Sequence, residues 1–383
     1  MPSRYLLTLV PVAAGLLLYA CTDQDPDDAD SPPHVDDTDG GTDTPPVDDT
    51  DPDTDTTPVD DTGPDTDTQP DDVFEIIEVE GGTWPDCERG CWEDYLELGE
   101  RAPQCVVPHT HEELVAAMAA IDHRKVEVYT DPLAPDELQQ LLMGILRLDC
   151  LEADLPARDL EVDVIERSTW EGYERLDLLF IDDYVGRFAG ILMLPPGEGP
   201  FPAVVAIHGH GSWAEDYLTY FQGDLFPPEG IAILALDMRA MAADDTENDV
   251  SWSFLLDGFL FMGIRAYETR LALAYLRQRP DIDPASLGLI GHSGGASASN
   301  LTVRTDLDLA AYVSDWSVEY WNEQCDPDTF ECILDEMAPD LYPHHLRIAD
   351  FATSPVPILP VPYEAATTEE GMEEILGFFG EHL

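Results

Sequence analysis

The stretch "LGLIGHSGGASAS", residues 287–299, predicts a buried strand, a tight turn and a helix in succession. Its middle, Gly291–Gly295, fits the GxSxG pattern, in which flanking glycines let neighbouring backbone pass close to an exposed, strained serine. We therefore predict Ser293 as a nucleophile, and the backbone N–H of Gly294, at the positive end of the following helix, as a donor to an oxyanion. The alternative interpretation is a glycine-rich helix start that only packs on a strand.

The segments on both sides of this stretch alternate between strand and helix patterns. Short apolar runs predict buried parallel strands, and a periodic apolar face predicts a helix over 263–280. Further upstream, three runs with polar turns between them predict an antiparallel edge. All of these runs lie at 159–168, 174–183, 187–196, 203–207, 231–236, 308–316 and 355–361. Right-handed crossovers then give an α/β fold, with a mostly parallel central sheet, helices on both faces and a helical N-terminal extension over 73–150.

The motif "HGHG", His208–Gly211, follows the strand 203–207 at the place where a second oxyanion donor is needed, and His210 is the predicted donor. Through this motif, the turn "GHSGG" and the order of the elements before it, the chain from about Arg187 onward resembles the α/β-hydrolase superfamily. The resemblance is to its acetyl xylan esterase and dienelactone hydrolase-like branch. It implies an α/β-hydrolase fold over 73–383 and hydrolysis of an ester by Ser293, with no metal or organic cofactor.

The acid and the histidine of a catalytic triad are harder to place. In the superfamily the acid follows the sixth or seventh strand, and the histidine follows the eighth. Here Asp315 ends the sixth-strand candidate, and Glu364, in "PYEAATTEEG", is the nearest substitute after the seventh. Residues 361–368 are too few for a crossover helix and an eighth strand, so the C-terminal part is expected to be shortened. His345, or its neighbour His344, is the substitute base that we predict.

The beginning of the chain has the pattern of an export signal. Residues 1–20 contain Arg4 and then an apolar run too short to span a bilayer. The next residue completes "LYAC", which resembles the lipobox of bacterial lipoproteins and implies lipidation of Cys21. Thr22 resembles an outer-membrane signal, so we expect a lipid-anchored protein of the cell envelope, at the outer membrane or the periplasmic face. The alternative is an ordinary cleaved signal.

Residues 21–72 contain the lipidation site and a segment rich in Asp, Thr and Pro, with no Lys or Arg. This composition cannot form a core and predicts a disordered tether. The net charge of the whole chain is -63, which repels nucleic acid and anionic lipid headgroups. We therefore expect no nucleic-acid partner, and contact with a membrane through a lipid anchor only.

Six further cysteines are candidates for disulfide bonds in an oxidising compartment. They are Cys87, Cys91, Cys105, Cys150, Cys325 and Cys332. The sequence does not choose among their pairings, although Cys325 with Cys332 is a short-range option. A zinc site that combines the first three with His109 and His111 is the weaker alternative, because CxxxC departs from the usual CxxC spacing.

Two functions are compatible with these patterns. The first is a membrane-tethered, extracytoplasmic serine hydrolase, carboxylesterase-like, whose partner is a small-molecule or carbohydrate ester. The second is a catalytically impaired α/β-hydrolase-like lipoprotein with a binding or envelope-structural role, since no histidine stands where the superfamily has one. The distance between the Ser293 hydroxyl and a proton acceptor decides between them.

Overall fold

A mixed β-sheet organises the folded part of the chain. The structure, a computed structural model, describes residues 75–77, 97–113, 133–153, 155, 160–170, 172–241, 247–315 and 354–383. Several predicted features lie outside the described residues, namely the export signal, Cys21, the tether, Cys87, Cys91, Cys325, Cys332, His344 and His345. All described residues belong to one unit, Thr68–Leu383.

The described strands form one sheet in the order β1-β2-β3-β4-β6-β5-β7-β8-β9. They are β1 Glu75–Ile77, β2 Glu161–Trp170, β3 Tyr173–Asp182, β4 Gly186–Leu194, β5 Phe201–Ile207, β6 Ala232–Leu236, β7 Ile282–His292, β8 Ala311–Asp315 and β9 Ile358–Pro360. The pairs from β1 to β4, and β4 with β6, are antiparallel. Four pairs are parallel: β6 with β5, β5 with β7, β7 with β8, and β8 with β9. The predicted sheet, with an antiparallel edge and a parallel centre, is thus confirmed.

Helices cover both faces of this sheet. They are α1 Leu98–Arg101, α2 Pro135–Ile145, α3 Leu148–Leu151, α4 Ala214–Thr219, α5 Glu247–Asp257, α6 Phe261–Gln278, α7 Gly294–Thr305 and α8 Glu369–His382, with short 3-10 turns. The central strands are apolar on both sides because each side faces a core. Val205 of β5 packs in the core that includes α6 and α7, whereas Val204 packs in the core that includes α4 and α8.

The N-terminal extension differs from its prediction in one respect. The sequence predicts a helical extension, and the structure has the helices α1 to α3 in it. In addition, Glu75–Ile77 forms an edge strand that pairs with β2. Three residues are too few for an apolar period to distinguish a strand from a helix, so the sequence carried no signal for it. Among the residues that the structure describes, no helix combines the length and the apolar character needed to cross a bilayer.

A disulfide bond cross-links two parts of this extension. Cys105 and Cys150 are bonded, and their Cα atoms lie 5.7 Å apart. This confirms two of the six cysteine candidates and chooses a pairing that the sequence left open. It also removes Cys105 from the alternative zinc site, because a disulfide sulfur is no longer the thiolate that binds a metal.

The C-terminal part is shortened as expected. Between the end of β9 and the start of α8, residues 361–368 contain a 3-10 turn, Ala365–Thr367, in place of a crossover helix and a further strand. Thr368 begins α8 by accepting a hydrogen bond from the Gly371 N–H to its side chain. The last helix therefore follows the sheet almost directly, and the residues of this turn lie at its carboxyl edge.

Candidate active site

Ser293 lies between β7 and α7 in a backbone conformation that few residues other than glycine adopt. Its φ is 51° and its ψ is -122°. Such a conformation costs of order 1–3 kcal/mol and persists where the surrounding elements fix it. Here β7 ends at the preceding residue, and the Ser293 carbonyl accepts from Ala296 N at 2.8 Å, which starts α7. The serine therefore stands on the sharp strand-to-helix turn that the GxSxG pattern predicts.

The "HGHG" loop after β5 lies directly against this turn. A Cβ atom on Gly209 would be 2.8 Å from the Cβ of Ser293, and one on Gly294 would be 2.6 Å from Nδ1 of the His210 ring. Real Cβ atoms do not approach this closely, so a side chain at position 209 would collide with Ser293, and one at position 294 would displace the His210 ring. The structure thus brings together His210 and Gly294, the two residues predicted to supply oxyanion donors. The Gly294 N–H is at the first position of α7, where a helix leaves amide hydrogens without an internal partner.

The segment after β6, Asp237–Met241, holds the "HGHG" loop in place. Gly211 N donates to Met241 O at 2.6 Å. His208 bridges the two segments, because its Nε2 accepts from Met238 N at 2.9 Å and its Nδ1 lies 2.8 Å from Gly209 O. Burial lowers the pKa of His208 to about 4, so this ring is neutral at pH 7, with Nδ1–H as the donor. His208 is a structural support of the loop.

This support predicts a dependence of stability on pH. A histidine whose pKa falls from its ordinary 6.5 to about 4 on folding binds fewer protons in the native state than in the unfolded state between those values. The contribution of neutral His208 to the free energy of unfolding is therefore complete above pH 6.5 and is lost as the pH falls towards 4. The total loss is about 3 kcal/mol. Urea unfolding at pH 7 and pH 4.5 should show a smaller loss for His208→Gln than for the wild type. Equal losses in both proteins would contradict this role.

Asp315, predicted as the acid of a triad, is paired with a histidine that the sequence analysis had assigned to the turn itself. The residue is fully buried, and its Oδ2 lies 2.8 Å from Nδ1 of His292. Its Oδ1 accepts from Ala365 N at 3.1 Å. His292 and Asp315 are register partners at the ends of β7 and β8. Adjacent parallel strands place partners side by side, so the pairing was implicit in the strand alignment.

Tyr363 lies next to the Ser293 turn, because its ring packs against that of His292, the residue before Ser293. It is placed between β9 and α8 and leaves 54% of its surface exposed. Its ring centroid is 5.0 Å from that of His292, which in turn lies 4.3 Å from that of Phe221. The segment "PYEAATTEEG" predicts Glu364 as a site residue but gives no such prediction for the tyrosine beside it. A hydroxyl in that position carries no motif that marks it.

Glu364, the substitute acid in the sequence analysis, is exposed and acts electrostatically on the phenol of Tyr363. Its φ of 62° makes the turn between Tyr363 and the 3-10 helix. His345 and His344 lie outside the described residues, so their predicted role stays a prediction. Within the ranges that the structure describes, no cluster of three or more His, Cys, Asp or Glu side chains is arranged to hold a metal ion.

These groups meet at one edge of the sheet. They follow the carboxyl ends of β5, β6, β7, β8 and β9. The next two strands in the chain, β6 and β7, lie on opposite sides of β5 in the sheet. Open α/β sheets bind ligands at such a point, where the strand order reverses. The Ser293 turn, the His210 loop and the ring of Tyr363 lie together there. This arrangement is chemically suited to attack on a carbonyl carbon and stabilisation of the resulting oxyanion.

Comparison with solved structures identifies the architecture. A protein from Bacteroides fragilis NCTC 9343, assigned as an acetyl xylan esterase, superposes with a TM-score of 0.52 at 18% identity, over 73% of this chain and 85% of that chain. The chain has the α/β-hydrolase fold. No protein-family model matches it.

Two curated relatives of this chain carry hydrolase names. Esterase FrsA of Enterobacter sp. (strain 638) is 33% identical over 110 residues, which is 29% of this chain and 23% of the relative. YtaP of Bacillus subtilis (strain 168), assigned as a hydrolase, is 30% identical over 122 residues, or 28% of this chain and 41% of the relative. The chain thus spans less than half the length of the curated relatives it matches.

Proposed function

We propose that this α/β-hydrolase is a serine esterase that acts on small, uncharged esters. The observation that carries the proposal is the strained conformation of Ser293, φ 51°, on a turn flanked by the closely packed Gly209 and Gly294. Strain at a single residue, fixed by the elements around it, is typical of catalytic sites. The esterase and hydrolase names of the curated relatives agree with this chemistry.

The reaction proceeds through an acyl-enzyme. Ser293 Oγ attacks the carbonyl carbon of the ester and loses its proton, and the carbonyl oxygen becomes an oxyanion that the N–H groups of Gly294 and His210 stabilise. The tetrahedral intermediate collapses, the alcohol leaves with a proton, and the acyl group stays on Ser293. Water then attacks the acyl carbonyl, a second oxyanion forms in the same hole, and its collapse releases the carboxylic acid and returns the proton to Ser293 Oγ. Each amide donor of such a hole contributes about 3–4 kcal/mol to the transition state.

An acylated carbohydrate is the substrate class that we favour. Three aromatic side chains near the site are partly exposed, Trp213 by 40%, Tyr220 by 58% and Tyr363 by 54%. Flat aromatic rings suit the apolar faces of sugar rings, because each ring combines an apolar face with a polar edge or tip. The net charge of -63 disfavours a polyanionic substrate such as an acyl-coenzyme A.

We also propose that the enzyme works outside the cytoplasm on a lipid anchor at Cys21, at the outer membrane or the periplasmic face. The apolar run in residues 1–20 and the lipobox-like "LYAC" support this location. The disulfide bond between Cys105 and Cys150 agrees with it, since such bonds form and persist in oxidising compartments. Incorporation of radiolabelled palmitate into the wild type, and its loss in Cys21→Ala, is the expected result.

The test of the activity uses the full chain, purified in detergent. We expect hydrolysis of p-nitrophenyl acetate and of acetylated xylo-oligosaccharides, with little turnover of acetyl-coenzyme A. A fluorophosphonate probe should label the protein, and peptide mass spectrometry should place the label on Ser293, because an unactivated serine reacts slowly. Absence of both hydrolysis and labelling would favour the second candidate, a binding or envelope-structural role, which the short connection over 361–368 motivates.

A further inference from the structure

The buried carboxylate of Asp315 holds two segments of the site at once. Its Oδ2 lies 2.8 Å from Nδ1 of His292, and its Oδ1 accepts a hydrogen bond from Ala365 N at 3.1 Å. The main chain of the same residue makes a third, longer contact, because Asp315 O accepts from Ser293 N at 3.4 Å. Asp315 therefore joins the end of β7, the turn at Ser293 and the turn over 361–368.

The ring of His292 is enclosed by three further segments. Its centroid lies 4.3 Å from that of Phe221 and 5.0 Å from that of Tyr363. On the side of the "HGHG" loop, a Cβ atom on Gly209 would be 2.9 Å from Cδ2 of the ring. Only 4% of the residue is exposed. His292 is thus the place where the segment after α4, the "HGHG" loop and the C-terminal turn meet.

Hydrogen bonds to the carboxylate fix this arrangement more firmly than ring packing alone. A carboxylate accepts hydrogen bonds and donates none, so Nδ1 of His292 and Ala365 N are both donors to Asp315. Removal of either donor would leave a buried carboxylate oxygen without its partner, which is costly. The positions of the ring and of the C-terminal turn are therefore coupled through one side chain.

This coupling matters because the C-terminal connection is short. Residues 361–368, all of which the structure describes, contain a 3-10 turn between β9 and α8 in place of a crossover helix and a further strand. The bond from Ala365 N to Asp315 ties this turn directly to the carboxyl end of β8. A buried hydrogen bond thus holds the turn at the catalytic edge of the sheet.

The direction of the His292 ring favours a positioning role over proton transfer. His292 is the last residue of β7, and successive side chains of a strand point to opposite faces. The ring packs on Phe221, which belongs to the core that includes α4 and α8. Its Nδ1 is bonded to Asp315. We therefore assign no chemical step to this histidine.

We propose that Asp315 and His292 are positioning residues, together the Asp315 lock, which hold the Ser293 turn and the "HGHG" loop in the geometry that attack on an ester requires. This inference rests on the proposed esterase function. Asp315 acts through His292 and Ala365, and His292 acts through its contact with Gly209 and its bond to the next residue, Ser293. A misplacement of about 1 Å at a reacting group lowers a rate about 10²-fold.

The experiment compares replacements that break the lock with replacements that preserve its hydrogen bonds, in the full chain with p-nitrophenyl acetate. Asp315→Ala and His292→Leu each remove one side of the lock. We expect kcat to fall about 10²-fold in both, with KM changed by less than about threefold, because the lock orients Ser293 and does not touch the substrate.

Two asparagine variants provide the conservative rescue. In His292→Asn the side-chain amide can donate to Asp315 from near the position of Nδ1. In Asp315→Asn the amide oxygen can accept from Ala365 N while the amide NH₂ donates to Nδ1 of the other His292 tautomer. We expect both variants to keep kcat within about tenfold of the wild type, since the segments stay in place. The acid of a catalytic triad behaves differently, because its replacement by asparagine preserves the geometry and still lowers kcat about 10⁴-fold.

Asp306→Ala is the matched control for the loss of a buried carboxylate. Asp306 is bonded to Arg277 at 2.9 Å and is 7% exposed, as part of the C-terminal end of α7. Ser293 precedes the other end of this 12-residue helix, about 18 Å away at 1.5 Å per residue. Asp306→Ala should lose stability and keep the kcat of the wild type. Urea unfolding of every variant ensures that rates are compared between folded proteins.

The outcomes separate this inference from the esterase proposal. A loss of kcat in Asp315→Asn as large as in Asp315→Ala would show that the charge of Asp315 acts in catalysis, and would overturn the lock. Wild-type kcat in folded His292→Leu would overturn it as well. If Asp315→Ala does not fold, the asparagine variants decide, because retained activity supports the lock and lost activity contradicts it. A wild type that neither hydrolyses the ester nor reacts with a fluorophosphonate at Ser293 would overturn the esterase proposal, and the positioning role with it.

Discussion

Substitution of Ser293 by alanine is expected to lower kcat/KM for p-nitrophenyl acetate by at least about 10³-fold, down to the residual rate that the oxyanion hole alone supports. The reason is that Ser293 Oγ forms the covalent bond in both halves of the reaction. Stability should change little, because alanine meets the same backbone restriction at φ 51°. The measurement is the initial rate, corrected for spontaneous hydrolysis, together with fluorophosphonate labelling.

Two companion variants make this result specific. Ser293→Gly should also be inactive, but its free energy of unfolding should rise by about 1 kcal/mol, because glycine relieves the strain of the turn. Ser299 lies on α7, six residues after Ser293, and is fully buried. Ser299→Ala should keep the activity of the wild type. Hydrolysis by Ser293→Ala at the wild-type rate would refute the role of Ser293, and destabilisation by Ser293→Gly would refute the strain.

The parts of the site that the sequence predicted are those determined by local backbone. The elbow at Ser293 and the loop at His208–Gly211 are contiguous motifs, and each follows a strand that is apolar on both faces. Because parallel strands end at one edge of a sheet, two motifs that each follow a buried strand must meet there. The close packing of Gly209 on Ser293 and of Gly294 on His210 follows from that placement.

The parts that the sequence did not predict depend on pairing across the fold. The contact between His292 and Asp315 depends on the register of β7 against β8, which an apolar run does not specify. Tyr363 packs against His292 from a turn in which the next residue, Glu364, has a left-handed φ of 62°, a conformation that glutamate rarely adopts. The Cys105–Cys150 bond is likewise a choice among pairings that only three-dimensional proximity can make.

A buried ion pair beneath the site is expected to give the largest effect on stability. Arg239, in the segment after β6, has its Nε 2.8 Å from Oε1 of Glu268 on α6, and both side chains are 1% exposed. Burial raises the pKa of Glu268 to about 7, against the lowering influence of Arg239 and of the buried Arg265. Glu268 is therefore about half ionised at pH 7, and removal of either guanidinium group would raise its pKa further.

Arg239→Met should therefore lower the free energy of unfolding by about 3–5 kcal/mol, because it leaves a carboxylate buried without its ion-pair partner. The loss should be larger at pH 8 than at pH 5.5. Removal of Arg239 raises the pKa of the buried Glu268 further above its unfolded value, so the variant loses more stability than the wild type as the pH rises from 5.5 to 8. Urea unfolding at the two pH values measures both effects.

The double variant Arg239→Met/Glu268→Leu removes both charges and should recover most of the loss, since an apolar replacement of a buried pair is often neutral. Arg101→Met is the surface control. Its partner Glu97 is 2.8 Å away but 59% exposed, so the expected change is below about 1 kcal/mol. Equal destabilisation of the single and double variants would show that packing, and not charge, makes Arg239 important.

The same variant links stability to catalysis. Arg239 stands between Met238 and Met241, whose backbone groups hold His208 and Gly211 at 2.9 Å and 2.6 Å. Loss of the ion pair should loosen this segment and so displace the His210 amide from the oxyanion position. We expect Arg239→Met to lower kcat about tenfold at a temperature where it is still folded, and the double variant to restore kcat together with stability. Recovery of stability without recovery of kcat would separate the ion pair from the oxyanion hole.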